Sequence, residues 1–253
     1  MAGVDHSAKA AAPVLQALGG NRLLSTCPEE LRARLAAHAS LVELTLGQGV
    51  LRRGIDVDSS LFPIGGTTIS MLVDLSDRRS IEVASIGNEG AVGGIVSCGH
   101  APAFSRAEVI VAGSALRIPL HVIEEAKGAS AHLRNLFCRY SDFLLAQVMQ
   151  SVACNAYHPI EARAARWLAT AMDRAGPRLS LTQDALAGLL GVQRTTVNAV
   201  SRLFQDKGLI STGRGKIEVL DRAAIVAQAC ECHDRVEKFF ADVIGPDGRG
   251  TTP

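Results

Sequence analysis

The chain has 253 residues, of which 47% are hydrophobic and 20% charged, with a net charge of +1. That length accommodates two domains, and that composition excludes a disordered or low-complexity chain. The near-neutral balance does not announce a polyanion binder, so any nucleic-acid face has to be sought in the local distribution of charge.

The first twenty residues hold Asp5, Lys9 and scattered alanines with no apolar h-region, so no secretory leader is expected. No apolar run approaches the ~20 residues of a membrane span. These features predict a cytoplasmic chain without membrane contact, in which the six cysteines (27, 98, 138, 154, 230, 232) are free thiols. Residues 1–20, Ala-rich and ending in Gly19-Gly20, are expected to be a flexible N-terminus. Thr26-Cys27-Pro28-Glu29 reads as a capping box with proline in the first turn, which predicts a helix from about Cys27 to Ala37.

From Leu41 to Pro119 the hydrophobic period is two. Leu41–Leu46, Gly49–Arg52, Ile69–Leu75, Ser80–Ile86 and Ala107–Ile118 read as strands, with Ser76-Asp77 as a hairpin corner. Short strands punctuated by glycines predict an antiparallel barrel or jelly roll. A helical period follows: Leu133, Phe137, Tyr140, Leu144, Val148 and Val152 form one continuous apolar stripe, which suits a dimer seam. Asn155–Pro159 is the expected hinge, because the residue before proline is pushed out of helix. Pro159 then opens a helix with Ile160, Ala164, Trp167, Leu168 and Met172 on one face.

Two short helices follow. Thr182 is placed as an N-cap, with Leu181 and Leu186 as its hydrophobic staple. Ala185, Leu186, Leu189 and Leu190 make the apolar face, and Gly191 breaks the helix. The second helix runs from about Arg194 to Lys207, faces Val197, Val200, Leu203 and Phe204 inward, and ends at Gly208. Two short helices hinged at one glycine form a helix-turn-helix pattern. Leu209–Ser211 and Ile217–Leu220 alternate around Gly213-Arg214-Gly215-Lys216, which predicts a β-hairpin wing with a basic tip. Between Arg178 and Arg222 there are seven Lys/Arg against four Asp/Glu, so positive charge concentrates here. The outward face of the second helix offers Gln193, Arg194, Thr195, Thr196 and Asn198. These residue types read base edges: Arg pairs with guanine, Asn with adenine, and a Thr methyl touches thymine. Arg214 and Lys216 on the wing are expected to touch phosphate. A last helix is expected from Arg222 to about Val243, followed by a polar, disordered tail.

A β-roll, a long helix, a hinge and a winged helix-turn-helix, in that order, resemble the Crp/Fnr family of bacterial transcription regulators over roughly Asn21 to His233. The most specific matches are the LTQDALAGLLGVQRTTVNAVSRLFQDKGLI block and the preceding Glu161-Ala-Arg-Ala-Ala-Arg-Trp-Leu. The resemblance implies an α+β chain divided into a flexible N-terminus (1–20), a cyclic-nucleotide-binding-like sensory roll (21–128), a dimerisation helix (129–156), a DNA-binding domain (157–243) and a tail (244–253). It implies a homodimer that binds palindromic operators in double-stranded DNA and works with RNA polymerase. Its base-contacting positions match Gln193, Arg194 and Thr195. An arginine found one turn later in cyclic-AMP-responsive members falls at Ala199, so a different half-site is expected.

The sensory half departs from the family. Where nucleotide-binding members carry a Phe-Gly-Glu-Leu-like segment, whose glutamate holds the ribose, this chain reads Val92-Gly93-Gly94-Ile95. Ser105-Arg106-Ala107 sets the candidate phosphate-binding arginine, Arg106, one position out of register, with a surface or strand-capping arginine as the simpler reading. The roll is carried over without its nucleotide site, and the small-molecule effector is left open. The iron–sulfur branch needs clustered N-terminal cysteines, and only Cys27 lies there. On a continuous helix Cys230 and Cys232 point to different faces, so Cys230-Glu231-Cys232-His233 is a poor metal chelate by itself; Cys with His could bind a metal or sense oxidation, but small apolar helix positions are the preferred reading. His100, His121, His132 and His158 show no ligand spacing. No metal or cofactor is expected, and no nucleophile–base pair or phosphate-cradling loop points to an enzyme. The alternative reading is a cyclic-nucleotide-binding or thiol-redox sensing module acting through protein contacts.

Overall fold

The computed structural model describes residues 6–77, 79–95 and 102–245, without the side chains of residues 6–12. Cys98, His100 and the tail from residue 246 onward lie outside the described residues. The amino-terminal segment, expected to be loose, contains helix α1 (His6–Gly19), followed by α2 (Arg22–Ser25) and α3 (Glu29–Ala36). What holds it is burial: Leu18, Leu23, Leu24 and Leu35 are fully enclosed against the roll. Asn21 is also fully buried. Its Oδ1 accepts from Leu24 N at 3.1 Å, and its amide donates to the carbonyls of Pro63 and Gly90, both at 2.9 Å. The capping box does not form, because Thr26 Oγ1 donates back to the Leu23 carbonyl at 2.8 Å and α3 starts at Glu29 after Pro28.

The roll consists of two antiparallel sheets. One has the order β1 (Ser40–Leu44), β7 (Gly113–Pro119), β3 (Ser59–Pro63). The other has the order β2 (Gly49–Leu51), β6 (Arg106–Val111), β4 (Thr68–Asp74), β5 (Ser80–Ile86). Leu44, Leu61, Ile69, Ile86, Val109 and Ala115 fill the space between them. The single strand expected at Ala107–Ile118 is two, because the chain changes sheets between Val111 and Gly113. A Cβ at position 113 would stand 2.3 Å from Thr67 Oγ1, so this crossing requires glycine. Strand β3 gave no alternating signal because Ser60, Leu61, Phe62 and Pro63 are all buried.

After α4 (Leu120–Ala129), Ser130 caps the long helix α5 (Ala131–Tyr157) by accepting from Leu133 N at 3.2 Å. The expected seam is corrected in its first half, while Val152, at its far end, stays exposed. Leu133, Phe137 and Tyr140 are buried in the chain's own roll, and Leu144 packs half-buried against both roll clusters. Tyr140 pins the contact: its hydroxyl donates to Ala91 O at 3.0 Å and accepts from Ala91 N at 2.9 Å. Gly90 permits this approach, since a Cβ there would overlap the hydroxyl at 2.2 Å. The apolar side that stays exposed lies further along the helix, at Leu145, Met149 and Val152, with exposures of 59%, 63% and 65%.

The carboxy-terminal unit contains α6 (Ile160–Ala175), β8 (Arg178–Leu179), α7 (Gln183–Leu190), α8 (Arg194–Asp206), β9 (Ile210–Gly213), β10 (Lys216–Val219), α9 (Arg222–Gln228) and α10 (Cys232–Ile244). Trp167, Leu168, Leu186, Leu190, Val197, Val200, Phe204, Ile217 and Ile225 form its core. Each such side chain contributes about 1.5–3 kcal/mol by burial. The single final helix expected from Arg222 is interrupted between Gln228 and Cys232, and α10 folds back along α5. There Phe240 meets Phe143 edge-on, with ring centroids 5.1 Å apart.

Candidate nucleic-acid interface

The helix pair is built by local chemistry. Thr182 Oγ1 accepts from Ala185 N at 3.0 Å and caps α7. Leu181 and Leu186 are both buried, as a staple requires. Gly191 adopts φ 65°, ψ 34°, the left-handed conformation that closes α7 at little cost for glycine. Gln193 then occupies the N-cap of α8 with no side-chain capping bond, so its amide is left exposed to solvent together with Arg194 and Thr195. The free amides and positive dipole end of α8 favour anionic groups at the same place.

Arg194 is held rather than loose: its Nη1 donates to Asp184 Oδ2 on α7 at 3.0 Å, with both side chains more than half exposed. Thr196 is half-buried. Asn198 is also half-buried, and its Oδ1 is enclosed without a donor among the described residues. It therefore sits deeper than the exposed edge on which the sequence pattern places it.

β8, β10 and β9 form a three-stranded antiparallel sheet, and Gly213 pairs with Lys216. That leaves Arg214-Gly215 as a two-residue turn, with Gly215 at φ 73°. Ile217 and Val219 anchor the sheet in the core, while Arg214 and Lys216 are exposed. A Cβ on Gly215 would stand 3.9 Å from Thr182 Cγ2, so the wing turn lies beside the first residue of the helix pair.

The roll and α5 flank a cavity of about 590 Å³ that opens to solvent at Phe104. Its lining is apolar, from Met71, Val73, Val92, Phe104, Leu120 and Leu144 among others, with Ser105 the one polar side chain among its described residues. Gly94 lies at its edge with φ +59°, and a Cβ there would stand 2.5 Å from Leu120 Cδ1, so a side chain at that position would strain the backbone and displace Leu120. Arg106 does not line the cavity. Its Nε donates to Asp74 Oδ1 at 2.9 Å and its Nη1 to Glu108 Oε2 at 2.5 Å, on β6.

Sequence reasoning missed three charged residues at the junction of the two units. Glu82 on β5 accepts from Trp167 Nε1 at 3.2 Å and is hydrogen-bonded to Ser70. Arg174 on α6 is paired with Glu89. Glu89 read only as part of a Gly-Asn-Glu-Gly turn, which carries no local sign of a distant partner. Among the thiols, burial pushes Cys27 up to about 11 and Cys230 up to about 12, and it raises Cys154 as well.

The fold and site define a two-unit architecture, a β-roll followed by a carboxy-terminal winged helix-turn-helix. Residues 162–227 match the Crp-like helix-turn-helix domain, and at least three quarters of the chain shares the fold of solved Crp/Fnr-family structures. FixK2 from Bradyrhizobium japonicum is similar with a TM-score of 0.64 at 15% identity, over 76% of this chain and 98% of that one. A Crp/Fnr-family regulator of Eubacterium rectale gives 0.63 at 18% identity, over 81% of this chain and 96% of that one. The c-di-GMP responsive global regulator CLP of Xanthomonas campestris gives 0.61 at 15% identity, over 77% of this chain and 100% of that one. No curated protein matches the sequence. Among the described residues, no helix is long and apolar enough to cross a membrane.

Proposed function

We propose that the protein is a cytoplasmic, DNA-binding transcription regulator that acts as a homodimer on palindromic operators. The observation that carries this reading is the exposed Gln193-Arg194-Thr195 edge at the start of α8, with the basic Arg214–Lys216 turn beside α7 in a Crp-like domain. In this reading α8 enters the major groove, Thr196 and Asn198 support its register, and Arg214 and Lys216 grip phosphate. The exposed Leu145, Met149 and Val152 stripe supplies a self-complementary seam, and a regulator of this kind works through RNA polymerase. The division into roll (21–128), dimer helix (129–156) and DNA-binding unit (157–243) follows the same logic. We assign the chain no catalytic role.

The signal entering the roll is best read as an apolar molecule. A cyclic nucleotide would bring a charged phosphate into a cavity with one polar side chain among its described residues, which offers that charge no cationic partner. Arg106 is already neutralised by Asp74 and Glu108, which argues against its service as an anion ligand. The test is a mobility-shift assay of the full chain on fragmented genomic DNA, followed by footprinting. A protected, two-fold symmetric site is expected. Uniform binding to all fragments, or none with and without apolar extracts, would sink the reading.

A further inference from the structure

Four side chains from two segments that are far apart in sequence meet where α5 ends, α6 begins and α9 gives way to α10. They are Cys154, His158, Cys230 and Cys232, and their ligand atoms all lie within 4.8 Å of one another. Cys154 Sγ is 3.6 Å from Cys230 Sγ, and Cys232 Sγ is 3.4 Å from His158 Nδ1. Cys154 and His158 stand four residues apart at the end of α5, a spacing that puts both on one side. Cys230 lies before α10 and Cys232 opens it, so the break in the helix lets both thiols reach one point.

We propose that these four residues form a tetrahedral Cys3His site for a single zinc ion, which fixes the helix-turn-helix unit on the end of α5. Zinc–sulfur bonds of about 2.3 Å and zinc–nitrogen bonds of about 2.0 Å place tetrahedral sulfurs about 3.8 Å apart and sulfur and nitrogen about 3.5 Å apart. The Cys154–Cys230 and Cys232–His158 separations lie close to these values, and with all four ligand atoms within 4.8 Å of one another the shell closes with shifts on the order of 1 Å. A soft donor set of three thiolates and an imidazole selects zinc over magnesium or calcium. A four-iron cluster is not accommodated, since its thiolates bind different irons and must stand further apart.

The surroundings fit the same occupant. His158 Nε2 lies 3.2 Å from Glu231 Oε2, the carboxylate–imidazole arrangement that orients a ligating histidine and leaves Nδ1 for the metal. Gln150 Nε2 donates to Cys232 Sγ at 2.9 Å. Three thiolates around a divalent ion leave about one net negative charge. Arg163 and Arg166 both act electrostatically on Cys154, and the Nε of each is buried without an acceptor among the described residues. The site joins α5, which carries the exposed apolar stripe, to the hinge at His158-Pro159 and to α10, so the ion would set how the reading helix sits relative to that stripe.

The experiment is a cobalt titration of the full chain, prepared reduced and metal-free. One equivalent should give the visible bands of tetrahedral cobalt with sulfur-to-metal charge transfer, and zinc should abolish them. Cys230→Ser and Cys232→Ser should lose the bands, while Cys138→Ser, at an exposed thiol on another part of α5, should keep them. Glu231→Gln, outside the ligand set, should weaken zinc by roughly 10–100-fold with the bands retained, and it carries the test if a thiol variant fails to fold. Octahedral cobalt, no uptake, unchanged affinity in Glu231→Gln, or a Cys154–Cys230 disulfide in place of metal binding would each overturn the proposal. None of these measurements uses DNA, so their failure leaves the operator-binding reading standing.

Discussion

Arg174 on α6 and Glu89 in the turn after β5 form an ion pair with side-chain exposures of only 9% and 4%. Arg174 also donates to Ser85 O at 3.0 Å, and Glu89 Oε1 accepts from Gly87 N at 2.9 Å. The pair thus ties the helix-turn-helix unit to the roll through backbone as well as charge. Removing one partner leaves the other charge buried and uncompensated, at a cost of about 3–5 kcal/mol. Arg174→Ala should lower the unfolding free energy measured by urea titration by that amount, whereas Arg174→Met combined with Glu89→Leu should recover most of it. A loss below about 1 kcal/mol for Arg174→Ala would mean that the two units do not hold this contact in solution.

Glu82 is enclosed at the same junction, and burial raises its carboxyl above the ordinary 4.5, despite hydrogen bonds from Ser70 and Trp167 and the charges of Arg166 and Arg174. A raised folded-state value means that the folded protein holds the proton more tightly than the unfolded chain. Its favourable contribution is complete below the unfolded value and is lost as pH rises through the folded one. Glu82→Gln keeps an acceptor for Trp167 without the charge. Its thermal midpoint should exceed that of the parent at pH 7, by roughly 2–4 °C per kcal/mol gained, and the difference should close below about pH 4. A gap that widens on acidification would reverse the assignment.

The dimer contact should follow the exposed stripe rather than the buried one. A charge at Met149 or Leu145 would meet its own copy across a two-fold axis, and sedimentation of Met149→Glu should show monomers. Leu144→Glu should instead weaken the roll, because Leu144 lines the cavity and packs on both roll clusters. If Met149→Glu sediments as a dimer of unchanged affinity, the seam lies on another surface.

On DNA, Arg194 and the wing should act differently. Arg194→Ala should cost about 1–3 kcal/mol and relax preference at one position of each half-site. Asp184→Asn, which frees Arg194 from its exposed partner, should alter affinity far less. Lys216→Ala should weaken all sequences alike and reduce the salt slope by roughly one counter-ion per subunit. Half-sites should lie about 34 Å apart. A binding series over salt and single-base operator variants decides it, since the opposite pattern would exchange the roles of helix and wing.

The amino-acid order by itself determined those parts whose causes are local. Thr182 caps the helix that follows it, Gly191 and Gly208 supply left-handed breaks, and Arg214-Gly215 closes a two-residue turn, each within a few residues of its partner. Two-residue alternation likewise marked most of the roll, but missed β3, where burial on both faces erases the period. What covers an apolar face is not a local property. The stripe on α5 is one pattern in sequence, yet the roll takes Leu133, Phe137 and Tyr140, while Val152 stays exposed beside Leu145 and Met149, which the pattern did not include. The Cys3His cluster is the sharpest case. Cys154 and Cys230 are 76 positions apart, and the turn that aligns Cys230 with Cys232 contains neither glycine nor proline. Only the packing of α10 back along α5, driven by burial of Phe240 and Ile244, brings those four ligands to one point.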